Sequence, residues 1–152
     1  PMAPERVTPF QGNLEAYHRA FGKFINQSSR LSPAQADQPG ICGVWSARQV
    51  AAHLAGWEHE AARSLTAWLA QLAPMQDYDI DGFNANSVAM RSAWSWEEVL
   101  ADLRAGHLAL QHAVERLMVQ HPSDYSIFTT WLGIMAEEFE THAAQLAEIP
   151  QS

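Results

Sequence analysis

The sequence predicts an all-α fold, a bundle of four long helices with a long connection between the second and the third. Three observations predict it. Apolar residues recur at spacings of three and four in four separate stretches, three of those stretches open on a capping box, and no stretch alternates apolar and polar residues as a strand does. The 152 residues suit one domain spanning 1–152, long enough to bury a core without disulfides.

Thr8-Pro9-Phe10-Gln11 opens the first helix, with proline at the first helical position, where its missing N–H does no harm. Leu14, Tyr17, Phe21, Phe24, Ile25 and Ser28 then carry one face to about residue 29. Ser32-Pro33 through Pro39-Gly40 reads as a loop. Ser46-Ala47-Arg48-Gln49 starts the second helix, with Trp45 placed to staple it. Its stripe is Val50, His53, Leu54, Trp57, Ala61, Leu65, Trp68 and Leu72, ending ahead of Pro74.

From Pro74 to Trp94 the helical period is lost and Asp77, Asp79, Asp81, Gly82, Asn84 and Asn86 gather, which reads as a connecting loop with at most a short helical turn near Val88. A link of that length favours a crossover over simple up-and-down topology. Ser95-Trp96-Glu97-Glu98 launches the third long helix, carried by Trp96, Leu100, Leu103, His107, Leu110, Val114 and Leu117 to about residue 120, before His121-Pro122. The last helix, from about residue 127 to 148, aligns Trp131, Ile134, Met135, Glu138, His142, Leu146 and Ile149.

Nine basic against seventeen acidic residues give a formal charge of −8, which disfavours nucleic acid and anionic membranes as partners. No apolar run has the length of a membrane helix. The single Cys42 cannot build a disulfide framework and has no neighbouring group to activate it, so it reads as inert. With no secretory pattern in the first residues, a cytoplasmic location is expected. Bundles of this size and aromatic content often associate, so a homodimer is expected too.

His53, Glu138 and His142 are ionisable groups set into apolar stripes, and such groups need a partner. Glu138 and His142 are four apart on one helix and can converge on one ion, with His53 supplying a third ligand from the second helix. Two imidazoles and one carboxylate suit zinc, nickel, iron or manganese and leave positions open for water or substrate. The competing readings are a core histidine with one satisfied hydrogen bond, and a Glu138 paired with Arg48, Arg63 or Arg104 or left in water. His107 is a core histidine first and a fourth ligand second, and His18, His59, His112 and His121 read as surface residues. Trp45 and Trp57 could wall a pocket.

Trp45-Ser46 followed by Val50-Ala51-Ala52-His53-Leu54-Ala55-Gly56-Trp57-Glu58 resembles the second-helix signature of the DinB/YfiT-like superfamily, especially its ClbS/DfsB branch. Asp81-Gly82-Phe83-Asn84, Ser95 to Leu100, and Glu138 to Leu146 extend the resemblance over nearly the whole chain. It implies a metal held by one histidine of the second helix and two histidines, four apart, on the last; His53 and His142 fall on two of these positions, and Glu138 stands where the pattern has its other histidine. It also implies thiol-dependent transferases and isomerases, and in the ClbS-like branch a hydrolase. The resulting expectation is a metal-dependent enzyme of detoxification type, a transferase using a low-molecular-weight thiol or a hydrolase, acting on a small molecule. Trp57, Asp81, Asn84 and Asn86 are expected to line its pocket, although loop capping is the ordinary role of such polar residues. The alternative is a non-catalytic small-molecule-binding or dimeric interaction module that has lost the metal site.

Overall fold

Helices begin in this chain where a side chain can take over the orphaned N–H groups of a first turn. The computed structural model describes residues 8–72, 77–121 and 128–150, and among them the fold is all-α. Six helices form: α1 (Pro9–Ser29), α2 (Pro33–Ala36), α3 (Ala47–Leu69), α4 (Ile80–Met90), α5 (Trp96–Gln120) and α6 (Thr129–Ala147). The capping boxes expected at Thr8, Ser46 and Ser95 close in both directions, each hydroxyl accepting from the N–H three residues on. Ser32 and Gln35 form a fourth and start α2, where the sequence was read as loop. Pro74, Pro122 and the expected start of the last helix near residue 127 lie outside the described residues.

The chain divides into two compact units, Pro1–Arg30 with Ser123–Ser152, and Leu31–Pro122. In the first, α1 and α6 lie parallel. Asn13 Nδ2 donates to the Thr129 carbonyl (2.9 Å), Lys23 Nζ meets Glu140 Oε1 (2.6 Å), and Arg30 Nη2 donates to the Leu146 carbonyl (3.1 Å), so pairings advance together along both helices. Between them Phe139 is fully buried, with the rings of Tyr17, Phe21 and Phe24 edge-on at 6.0, 5.4 and 5.7 Å. This rotates α6 by about one residue from the expected stripe. Its buried face is Leu132, Met135, Phe139, Ala143 and Leu146, while Ile134 is 54% exposed and Glu138 is exposed too. A phenylalanine brings more apolar area to the core than its neighbours, and its position sets the face.

In the second unit α3 and α5 are also parallel, with Glu58 against His107, His59 against Asp102, and Thr66 against Arg116. Parallel neighbours need a return path along the length of a helix, ~35 Å for one of this size. The expected crossover is therefore present, and much of it is helix rather than loop. Helix α4 runs antiparallel to α3, from Tyr78 beside Glu60 to Arg91 beside Arg48, and carries the chain back to the start of α3. Asp79 caps it through Gly82 N–H (3.2 Å). Gly82, Asn84 and Asn86 are poor helix formers, so docking on α3 decides its state.

That docking is close. A Cβ at Gly56 would stand 2.1 Å from Ser87 Oγ and 2.7 Å from Ser87 Cβ, and Ser87 is buried. Every expected stripe position of α5, from Trp96 to Leu117, is buried.

Two outcomes test these contacts by urea denaturation. Phe139→Ala should cost about 3–5 kcal/mol, because no neighbouring side chain can fill its place among three rings. Gly56→Ala should destabilise by about 1–3 kcal/mol through overpacking, in spite of the ~1 kcal/mol better helix propensity of alanine. Ser87→Gly in the same chain should recover most of that loss, since it removes the Cβ that collides.

Candidate functional site

His53 lies on α3 two turns past the Ser46 cap, and it is buried. A tight turn prepares its surroundings. Cys42 N–H donates to the Trp45 carbonyl (2.9 Å) and Trp45 N–H donates to the Cys42 carbonyl (3.2 Å), with Gly43 at φ 67°, a left-handed conformation that side-chain-bearing residues avoid. The turn sets Trp45 with its ring 4.7 Å from that of His53, at 60°. Cys42 itself is buried.

Glu138 and His142 come together on α6 as their spacing predicts, His142 Nε2 lying 3.3 Å from Glu138 Oε2. The other nitrogen of the ring, Nδ1, is 2.7 Å from Gln145 Oε1, so the imidazole is held between a carboxamide and a carboxylate. The carboxylate is 47% exposed and the imidazole 15%, so the pair sits at the wetted edge of α6 rather than inside its apolar stripe. Of the arginines considered for Glu138, Arg48 pairs with Asp37 at 2.5 Å and Arg63 with Glu60. Glu138 and His142 belong to one unit and His53 to the other.

Among the other expected site residues, the structure joins two. Trp57 Nε1 donates to Asn84 Oδ1 at 2.6 Å, and the Trp57 ring lies 4.1 Å from Phe83 and 5.2 Å from Tyr78. Asp81 and Asn86 are exposed on α4, Asn86 reaching Met90 Sδ at 3.5 Å. All three polar residues stand on a helix rather than in a loop.

The sequence reading missed Glu58, Gln145 and the polar chain between α3 and α5. Glu58 is fully buried, and its Oε1 lies 3.0 Å from His107 Nδ1. The core reading of His107 holds. Leu54, Glu58, Ala61 and Leu65 follow the four-three-four spacing of an apolar face, a signal that could have found Glu58. Beside it, Asp102 receives Arg91 Nε (2.8 Å) and faces His59 Nε2 (3.0 Å). His59 is therefore half-buried rather than a surface residue, as are His18 beside Tyr17 and His121 beside Trp68; His112 is exposed. Gln145 stands three residues past His142, within helical reach, and that spacing was visible too.

The Glu60 carboxyl receives Arg63 Nε at 2.9 Å and the Tyr78 hydroxyl at 2.9 Å. The Arg63 hydrogen bond holds Glu60 below the usual carboxylate range, against the upward push of burial. Burial, with the neighbouring Glu60, raises the Tyr78 hydroxyl.

Among the described residues the chain is all-helical, consistent with the DinB/YfiT-like class of helical proteins. Within that class it belongs to the mycothiol maleylpyruvate isomerase N-terminal domain family, which matches residues 17–147. No curated protein and no solved structure matches the chain. Among the described residues no helix is long and apolar enough to cross a membrane.

The depressed Glu60 carboxyl should make stability pH-dependent with a fixed sign. Its contribution is present above the unfolded carboxylate value, ~4.3, and is lost as pH falls through the lower folded value. Urea titrations between pH 7 and 3 should show an acid loss that shrinks by up to about 1 kcal/mol in Arg63→Gln, the scale of an exposed ion pair.

Proposed function

We propose that the chain is a divalent-metal-dependent enzyme that acts on a small molecule with a low-molecular-weight thiol as co-substrate, His53, Glu138 and His142 holding the ion. The observation that carries this reading is the orientation of His142, whose Nδ1 is held by Gln145 at 2.7 Å while Nε2 lies 3.3 Å from the Glu138 carboxylate. A metal-binding histidine characteristically has its second ring nitrogen held by an outer partner, as Gln145 holds this one. Each of the three residues offers one ligand atom of a type suited to zinc, nickel, iron or manganese.

A divalent ion bound there supplies Lewis acidity, stabilising a thiolate or hydroxide at neutral pH. The chain's own residues do the rest. Gln145 orients His142, Trp45 backs His53, and Trp57, tied to Asn84 one turn beyond His53, is the side chain we assign to the pocket wall, with Asp81 and Asn86 at its exposed rim. The family is named for a mycothiol maleylpyruvate isomerase, which supports a thiol as co-substrate and isomerisation as a reaction alongside transfer and hydrolysis. A cytoplasmic setting, where such thiols are kept reduced, and the ClbS/DfsB branch belong to the same proposal.

Elemental analysis of protein purified without chelators tests it. Near-stoichiometric metal is expected in the parent chain, lost in His53→Ala and His142→Ala, with affinity weakened ~10–100-fold in Gln145→Leu. No metal in the parent chain, or metal unaffected by either histidine, would refute the shared site and favour a small-molecule-binding module.

A further inference from the structure

The second half of α5 presents a face to solvent that the metal site does not use. Leu108, His112, Glu115 and Val119 follow one another at four, three and four residues, so they align along the helix. All four are exposed, Leu108 at 53% and Val119 at 80%, where an isolated helix face would carry polar groups. A shallow cavity of about 310 Å³ opens between His112, Glu115, Arg116, Val119 and Gln120.

The order of these residues is symmetric. Leu108 and Val119 are equally far from the point between Ala113 and Val114, and so are His112 and Glu115. A second α5 laid antiparallel across a two-fold axis at that point brings Leu108 opposite the partner's Val119 and His112 opposite the partner's Glu115, each contact occurring twice. Such self-complementarity is what an isologous interface needs. Apolar ends meet apolar ends, and at the centre an imidazole N–H faces a carboxylate acceptor.

Charge also permits the approach. The chain carries −8 overall, so two copies repel over most of their surface, but residues 104–120 contain two arginines and a single glutamate. Arg116 is held at the edge of the face by donating to Thr66 Oγ1 (2.9 Å), which keeps its guanidinium beside the cavity.

We infer that a second copy of this chain is the occupant of this face, paired antiparallel through α5 about the Ala113–Val114 midpoint. This inference is independent of the metal reading. Sedimentation equilibrium should give twice the mass of one chain, falling to the single-chain mass in Leu108→Arg, while circular dichroism shows the helices intact, since the position is already exposed. Register is tested by oxidation: a mixture of Leu108→Cys and Val119→Cys chains should yield a disulfide-linked pair, and neither variant should do so alone. A monomeric parent chain, a dimer indifferent to Leu108→Arg, or crosslinking of either variant with itself would each overturn it.

Discussion

The close approach of α4 and α5 to α3 is the constraint on which the Leu31–Pro122 unit depends. It is permitted by two positions without a Cβ. Gly56 lets Ser87 of α4 sit where a methyl group would be, and at Gly106 of α5 a Cβ would lie 3.0–3.1 Å from Glu58 and His59. With the backbones so near, short polar side chains can meet across the seam. Glu58 reaches His107, His59 reaches Asp102, and Arg91 closes on Asp102 from the end of α4. A wholly buried carboxylate is tolerated on these terms, since removing one partner of a buried pair typically costs about 3–5 kcal/mol.

The other unit is organised by a different force. Phe139 and the rings of Tyr17, Phe21 and Phe24 turn α6 so that its fully buried phenylalanine faces α1. Glu138 and His142 are thereby carried to the edge of the buried stripe, where a carboxylate retains contact with water and an imidazole does not lose it. This explains how a charged group is held on a core helix without the full penalty of burial. Gln145, three residues on, reaches His142 by helical spacing alone.

The match to the mycothiol maleylpyruvate isomerase N-terminal domain family, residues 17–147, draws on residues of both units. The first unit carries the Glu138–His142 pair, and the second carries the buried His53 beside Trp45. Helix α4 is pinned to α3 by the Trp57–Asn84 hydrogen bond, one turn from His53.

Much of this was legible in the sequence. Four long helices, the capping boxes of three of them, the whole buried face of α5 and the spacing of Glu138 and His142 follow from local rules, because a hydroxyl three residues from an N–H and a side chain four residues along a helix meet whatever the rest of the chain does. The states of α2 and α4, the rotation of α6, and the partners of Glu58, Asp102 and His59 do not. Asn84 and Asn86 have little helical preference of their own, so only docking against Gly56 makes α4 a helix. Which of Glu138 and Phe139 faces inward is settled by the aromatic rings of α1, more than a hundred residues away in sequence. Local spacing determined the elements, and non-local packing decided which faces were buried, because a helix repeats its period in every environment while burial belongs to the surface it meets.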